Sequence, residues 1–558
     1  MQTMTEGLKQ AVEAALASIA QEKEFVIPEG FVVRLERPRQ DGHGDWATNV
    51  AMQLAKPFGM NPRELAALII ERLDKSDIVD KVEIAGPGFM NFTLSARWIT
   101  EAVGSAVEKR ENYGRVEIGN GRKVQVEFVS ANPTGPLHMG HGRGAAVGSI
   151  TASILDFAGW NVEREYYIND AGLQMELLGK SAQARYFEEL GRANEAPFPE
   201  DGYQGGYMAD IAKKFVEKYG SSLADKPLDE TVEFFMRETS QYVLEIIRKD
   251  LEEFGVTFDV WFSEQSLYDN NLVDPAMKAL KERDYAYEAD GALWFRSTMF
   301  GDDKDRVLIR SNGMPTYFTS DVAYLKNKYD RGFEKLIYVW GADHHGYVPR
   351  LKSVNKAFGY PDDGVDVLLI QMVNLLRDGK PVQMSKRAGT IIMLREIMDE
   401  VGVDATRFFF AMRRCDTTLD FDLELAKRAT SENPVFYVQY AHARICSISR
   451  ELAERSIGIP SMDEFDVSLL TDPTEANLAK IISKMPEEVE KAAEEFAPHR
   501  IAYYATSLAE AFHAFYNAQR IIGVEESVMK SRILLMEAAK IALKNSLGLL
   551  GVSAPEKM

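Results

Sequence analysis

Ser130-Ala-Asn-Pro-Thr-Gly-Pro-Leu-His138-Met-Gly140-His141 joins a stretch with the period of a strand to one with the period of a helix. Before it, Lys123-Val-Gln-Val-Glu-Phe-Val129 alternates apolar and polar residues, as a strand does. Within it, Pro133, Gly135 and Pro136 break regular structure. After it, Gly140 to Trp160 turns helical, with small residues first (Gly142, Gly144, Ala145, Ala146, Gly148) and Ile150, Ile154, Leu155 and Phe157 later. A glycine-rich helix start behind a parallel strand is an anion site, because its free N–H groups and positive dipole end face the ligand. His138 and His141, one turn apart, add donors aimed at the same place. A His-x-x-His metal pair, or two incidental loop histidines, would leave the Pro/Gly approach unexplained. Neither accounts for Gly140, which lets a flat ring lie against bare backbone.

A chain of 558 residues exceeds one core and predicts three to four domains. Two cysteines, Cys415 and Cys446, supply neither a disulfide framework nor a zinc ligand set, so a reducing cytoplasm and no structural metal are expected. Met1 to Ala20 carries Glu6, Lys9 and Glu13, which predicts an amphipathic helix rather than a signal peptide. No run of about 18 apolar residues occurs, so no membrane partner is expected. A formal charge of −20 argues against indiscriminate nucleic-acid binding but does not exclude a nucleic-acid partner, since a large acidic protein can carry local basic faces; no DNA partner is expected.

Along the chain, residues 1–110 read as an α+β domain. It has a leading helix, a strand at Phe31–Leu35, a loop with His43-Gly-Asp45, a helix ending near Leu73 and a strand pair within Val82–Leu94 about the Gly86-Pro-Gly88 turn. A polar linker, Glu108 to Arg122, follows. Residues 116–425 alternate strands and helices as an α/β domain does. Its strands are predicted at Val124–Val129, Val162–Ile168, Leu293–Phe295, Lys335–Trp340 and Val367–Met372, with a mostly helical insertion over about 180–285. Residues 430–558 show helical periodicity alone (Tyr437–Ala453, Glu475–Ala497, Arg500–Ile522, Ser531–Leu550), the mark of an all-α bundle.

A second segment, Gln383-Met-Ser-Lys-Arg-Ala-Gly389, sets adjacent cations beside Ser and Gly, a loop suited to oxyanions. Together the two segments resemble the signature pair of class I aminoacyl-tRNA synthetases, His-x-Gly-His and Lys-Met-Ser-Lys. The flanks narrow the likeness to bacterial-type arginyl-tRNA synthetases: Glu127 to Gly144, Tyr166-Tyr-Ile-Asn-Asp-Ala-Gly172, Gly341-Ala-Asp-His-His-Gly346 and the tail Leu549 to Met558. His43-Gly-Asp-Trp-Ala-Thr-Asn49 and Ala85-Gly-Pro-Gly-Phe-Met-Asn-Phe92 are similar to that family's additional N-terminal domain. Gln383 departs from the pattern, standing where the first Lys is usual; the second is present as Lys386.

The resemblance implies a Rossmann-like catalytic domain over 116–425, a tRNA-binding domain over 1–110 and a helical anticodon-binding domain over 430–558. It implies L-arginine, ATP and tRNA(Arg) as partners, Mg²⁺ accompanying ATP, and a monomer. His138, His141 and Lys386 are then the expected catalytic residues. Pro136, Leu137, His138, Gly140 and His141, with Met384, Ser385, Lys386 and Arg387, are expected to hold ATP. Glu127, Ser130, Asn132, Tyr317 and Asp321 are expected to hold arginine, since carboxylates match the fork of donors on a guanidinium. Asp321 could instead cap a helix starting at Val322, and Glu127 could face solvent from its strand. Asp343, His344 and His345 are expected in a loop near ATP or ribose rather than on a metal. Asn433 to Arg444 interleaves aromatic and basic residues, as stacking on splayed RNA bases requires, although aromatics at helical spacing also build cores.

Other readings remain. A synthetase for glutamate would require cations where Glu127 and Asp321 stand, and one for cysteine a zinc thiolate site. A non-catalytic tRNA-binding paralogue could let both signatures decay, and a small-molecule nucleotidyltransferase would have no use for the flanking domains.

Overall fold

The polar positions of the first strand are as deeply buried as the apolar ones: Gln125 is 1% exposed and Glu127 5%. The computed structural model, which describes residues 4–38, 44–73, 79–95, 97–170, 173–382 and 392–558, shows why. β1 (Lys123–Phe128) is the middle strand of a five-stranded parallel sheet with β2 (Asn161–Ile168), β3 (Val260–Ser263), β4 (Lys335–Gly341) and β5 (Val365–Ile370), in the order β5-β4-β1-β2-β3. A central parallel strand is covered on both faces, so its polar side chains must find partners inside. Gln125 donates to Glu163 on β2 at 3.0 Å. From β1 the chain builds outward to β2 and β3, then returns on the other side as β4 and β5. This reversal opens a crevice beyond the carboxyl ends of β1 and β4.

Helix α1 (Met139–Phe157) follows β1 and is buried along most of its length. Its small residues permit close packing on the sheet: a Cβ at Gly148 would lie 2.3 Å from the Phe128 ring, and one at Gly142 2.6 Å from Leu394. Arg143, fully buried on α1, ties it to the carbonyls of Gln371 and Arg414 at 2.8 and 2.9 Å. Arg407, also buried, bridges the Ser149 hydroxyl of α1 to the carbonyls of Phe254 and Leu550.

These elements belong to a compact unit formed by Gly114–Arg444, Met485–Ala509 and Leu543–Met558. Two expectations change within it. Leu293–Phe295 is a strand, but of a separate antiparallel sheet with Ala286–Ala289 and Arg306–Ile309. The fifth strand of the central sheet is instead β3, inside the stretch read as helical; four residues carry too little periodicity to announce a strand. Helices Leu173–Glu189, Gly206–Tyr219 and Leu228–Glu253 fill the interval between β2 and β3.

A second compact unit comprises Met1–Tyr113, Ile445–Lys484 and Glu510–Ala542. Helix Met4–Lys23 and helix Pro62–Arg72 pack on an antiparallel sheet in the order Trp46–Thr48, Phe89–Leu94, Val79–Ala85. The expected strand Phe31–Leu35 is irregular, with only Glu36 bridging to Ala47. His43 lies outside the described residues, as do Ala171 and Gly172; Asp45 accepts the Leu94 N–H and pairs with Lys480 at 2.9 Å. The segment Glu108–Arg122 is not a free linker: Glu108 and Lys109 end helix Arg97–Lys109, and Tyr113, 2% exposed, donates to the Ile482 carbonyl at 2.8 Å. Among the C-terminal helices, the reading Glu475–Ala497 divides into Pro473–Ile482 and Met485–Glu494. Pro486 accounts for the break, since proline is tolerated in a first turn and disrupts a helix interior. No described helix is long and apolar enough to cross a membrane.

Candidate active site

His138 is the N-cap of α1. Its Nδ1 accepts the N–H groups of Gly140 and His141 at 3.1 and 3.3 Å, and His141 Nδ1 accepts the His138 N–H at 3.4 Å. The two rings stack with centroids 3.6 Å apart and planes 16° from parallel. With Nδ1 acting as acceptor, the proton of each neutral imidazole resides on Nε2, which makes that atom a donor. This corrects one expectation: the N–H groups of Gly140 and His141 are capped rather than free, so the helix contributes its dipole and the histidines the hydrogen bonds. Gly140 is exposed, and a Cβ there would stand 3.0 Å from the His138 ring. Pro136 is half-buried and Leu137 fully buried.

Residues 383–391, hence Met384, Ser385, Lys386 and Arg387, lie outside the described residues. The chain returns at Ile392 beside the first signature. Ile392 accepts the Met139 N–H at 3.1 Å, Met393 forms a bridge with His138, and Leu394 donates to the Leu137 carbonyl at 2.8 Å.

The turn leaving β1 is strained. Val129 and Ser130 have φ of +68° and +41°, a region that costs a β-branched residue about 1–3 kcal/mol and persists only where its surroundings enforce it. Ser130 is fixed on three sides: its N–H donates to Phe128 at 2.9 Å, its hydroxyl to Glu127 Oε1 at 3.2 Å, and it accepts the Tyr167 N–H at 3.1 Å. Asn132, further along, donates to Gln174 at 2.5 Å.

Helix α2 (Tyr317–Asp330) supplies the opposite wall. Its N-cap is Thr316, in a capping box with Thr319. Asp321 therefore sits in the second turn and is not a cap. Tyr317 is 59% exposed, and Asp321, one turn on, is exposed too. Water reaches the Asp321 side chain, yet protein packs closely around it. That crowding first, and then Glu264 and Glu127, push its carboxyl up to about 7, with Arg350 pulling the other way. Glu264, 4% exposed just beyond β3, accepts the Ser320 hydroxyl at 2.7 Å and is hydrogen-bonded to Tyr167. Burial raises the Glu264 carboxyl despite these bonds. Glu127 does not face solvent: its Oε2 meets the ammonium of Lys328, itself 1% exposed, at 2.5 Å.

Asp343, His344 and His345 form an exposed 3₁₀ turn after β4, at the same end of the sheet. Asp343 and His344 approach to 3.7 Å, and His345 Nδ1 lies 3.1 Å from the Ala342 carbonyl. Among the described residues no group of three or more His, Cys, Asp or Glu is placed to hold a metal ion.

A parallel sheet of this topology, with paired imidazoles capping the helix after its central strand, defines a class I aminoacyl-tRNA synthetase catalytic domain. Residues 102–445 match the family described as tRNA synthetases class I (R), catalytic domain. Residues 6–94 match the arginyl tRNA synthetase N terminal domain, and residues 438–558 the DALR anticodon binding domain. The arginine–tRNA ligases of Desulforamulus reducens and Bacillus subtilis are 48% and 49% identical, each across 100% of this chain and 100% and 99% of theirs. A Campylobacter jejuni structure titled putative arginyl t-RNA synthetase superposes with a TM-score of 0.76 at 34% identity, covering 83% of this chain and 100% of that one. The Thermus thermophilus arginyl-tRNA synthetase shares the fold at a TM-score of 0.77, with 23% identity over 99% of both chains. The chain belongs to the arginyl-tRNA synthetase family.

Sequence reasoning missed Tyr167, Glu264, Ser320 and Lys328. Glu264 gave no signal beyond following a short strand. Lys328 did: Tyr317, Asp321, Tyr324 and Lys328 recur at helical spacing and lie on one stripe of α2.

Proposed function

We propose that the crevice beyond β1 and β4 joins L-arginine to ATP as arginyl-adenylate and passes the arginyl group to the 3′ end of tRNA(Arg). As a family member the chain is an aminoacyl-tRNA synthetase of the arginine–tRNA ligase type. In the first step a carboxylate oxygen of arginine attacks the α-phosphorus of ATP and the bond to diphosphate breaks. In the second, a terminal ribose hydroxyl of tRNA attacks the arginyl carbonyl and AMP leaves. Charge builds on phosphoryl oxygens, so positioned donors carry the rate. The Nε2–H groups of His138 and His141 supply them at the positive end of α1, and adenine lies over Gly140. Lys386 meets the departing diphosphate, with Met384, Ser385 and Arg387 beside it. Asp321 and Tyr317 receive the guanidinium, and Ser130 and Asn132 line the path to it.

Mg²⁺ would arrive with the phosphates of ATP, as the family likeness implies; when bound it would neutralise phosphate charge. We assign tRNA contacts to 1–110 and 430–558 and catalysis to 116–425. The reading places the enzyme in the cytoplasm as a monomer, supported by the family likeness.

One observation carries the assignment: donors capping α1 and the acidic cluster of Asp321, Glu264 and Glu127 flank the same turn after β1. ATP–pyrophosphate exchange with each amino acid, with and without tRNA, tests it. Exchange should appear with arginine and depend on tRNA, a need the family likeness implies. Exchange with glutamate instead, or none with any amino acid, would overturn the reading.

A further inference from the structure

We propose that Lys328 is a positioning residue for arginine selection: its ammonium holds Glu127 in one orientation under the pocket and leaves Asp321 as the carboxylate that meets the guanidinium. The proposal rests on the arginine-activating reading above and deepens it.

Both oxygens of Glu127 are engaged inside the protein. Oε2 receives Lys328 at 2.5 Å and Oε1 the Ser130 hydroxyl at 3.2 Å. A fork of guanidinium donors needs both oxygens of a carboxylate presented together, and Glu127, 5% exposed, does not present them. Lys328 is held as firmly. Its Nζ lies 4.3 Å from the Tyr324 ring centre and 4.0 Å from that of Tyr338, a cation–π sandwich. Tyr338 is the register partner of Glu127 across β4 and β1. The charged and titratable groups facing Lys328 are Glu127, Glu165, Arg331, Tyr324 and Tyr338. Glu165 is answered by Arg331 at 2.6 Å, as Glu127 is by Lys328. Asp321 has no cation within ion-pair distance among the described residues. The cluster thus keeps one open, exposed carboxylate for an incoming cation.

Burial holds the Lys328 ammonium below its usual range, and Glu127 and Glu165 pull it only partway back. Removing it would strand Glu127 beside Asp321 and Glu264, and a stranded buried carboxylate takes up a proton. The Ser130 hydroxyl and the strained turn at Val129 would lose their fixed acceptor.

Lys328→Met, Lys328→Arg and the double variant Lys328→Met/Glu127→Gln test this in tRNA-dependent exchange assays from pH 6 to 8.5. Lys328→Met should raise the arginine KM about tenfold or more and leave the ATP KM within about twofold, the split expected when ground-state arginine binding is lost. It should also add an ionisation to the pH profile of the arginine KM. Lys328→Arg, keeping the charge, should recover most of the affinity. The double variant should regain stability without regaining arginine affinity. A Lys328→Met protein that melts lower yet keeps the wild-type arginine KM and pH profile would overturn the proposal. So would failure of both neutral variants to fold, because the pair would then be structural. Failure of the wild type to exchange arginine overturns the functional reading instead.

Discussion

The wall we propose for the phosphates comes from one run of twelve residues, Ser130 to His141, whereas the wall we propose for the guanidinium gathers Glu127 from β1, Glu264 from beyond β3, and Asp321 and Lys328 from α2. On the first wall the backbone does the placing: each histidine is locked by N–H groups two or three residues away. On the second, packing does it, through ion pairs and hydroxyls from segments up to 201 residues apart. A donor array can be written in one stretch because helix geometry sets its spacing. An acidic cluster cannot, because carboxylates repel and the buried ones, Glu127 and Glu264, take their partners from another element.

If that contrast is right, the phosphate wall fails hardest. His138→Ala or His141→Ala should each lower adenylate formation by roughly 10²–10³, as removal of a preorganised donor does, with arginine affinity nearly unchanged. His138→Ala would also uncap α1, so its loss should come with a lower melting temperature, by about 1 kcal/mol of stability. Near-normal turnover in single-turnover assays would remove the rings from the mechanism.

Next comes the open carboxylate. Asp321→Asn keeps the shape and deletes the charge, and should cost about 2–4 kcal/mol in kcat/KM for arginine at little change in ATP KM. An arginine titration showing normal affinity would shift guanidinium recognition to another acceptor and blur the division between the two walls.

How much of this the sequence displayed follows from the same contrast. The strand-turn-helix at 123–157 was legible because period, breakers and histidines sit side by side. The capping of Gly140 and His141 by imidazoles was not, since a ring nitrogen and a free N–H group leave the same letters in a sequence. Glu127 was legible as a candidate for the arginine site, but its partner Lys328 lies 201 positions away, and no local rule links them. β3 escaped because it is four residues long, and the buried Tyr113 escaped because its neighbours are polar. Local order was readable; what long-range packing arranges was not.

A smaller effect should appear with pH. With its carboxyl near 7, Asp321 passes from about nine-tenths ionised at pH 8 to about one-tenth at pH 6 in the free enzyme. Arginine binds the ionised form, so its apparent KM should rise about tenfold over that interval. The guanidinium stays charged throughout. The step should vanish in Asp321→Asn, and a step that survives there would belong to another group, Glu264 being the next one raised.

The smallest effect is the most discriminating, because it runs opposite to ordinary damage. A carboxyl whose folded value is raised from 3.8 to about 7 binds more protons in the native than in the unfolded protein between those limits. Stability therefore falls as pH rises through that window. At pH 8 the native protein holds Asp321 ionised against its surroundings; at pH 5 it holds it neutral. Asp321→Asn should accordingly raise the melting temperature at pH 8 and raise it less at pH 5. Solvent reaching the side chain keeps the gain small, because screening weakens the repulsion from Glu264 and Glu127. A helix cap would give the reverse, a loss at both pH values, which the position of Asp321 in the second turn of α2 already disfavours. Melts of the wild type and the variant at the two pH values, without substrates, decide the sign. Destabilisation at pH 8 would mean that the surroundings of Asp321 are wetter than their crowding suggests, and that Asp321 is not held in readiness for a cation.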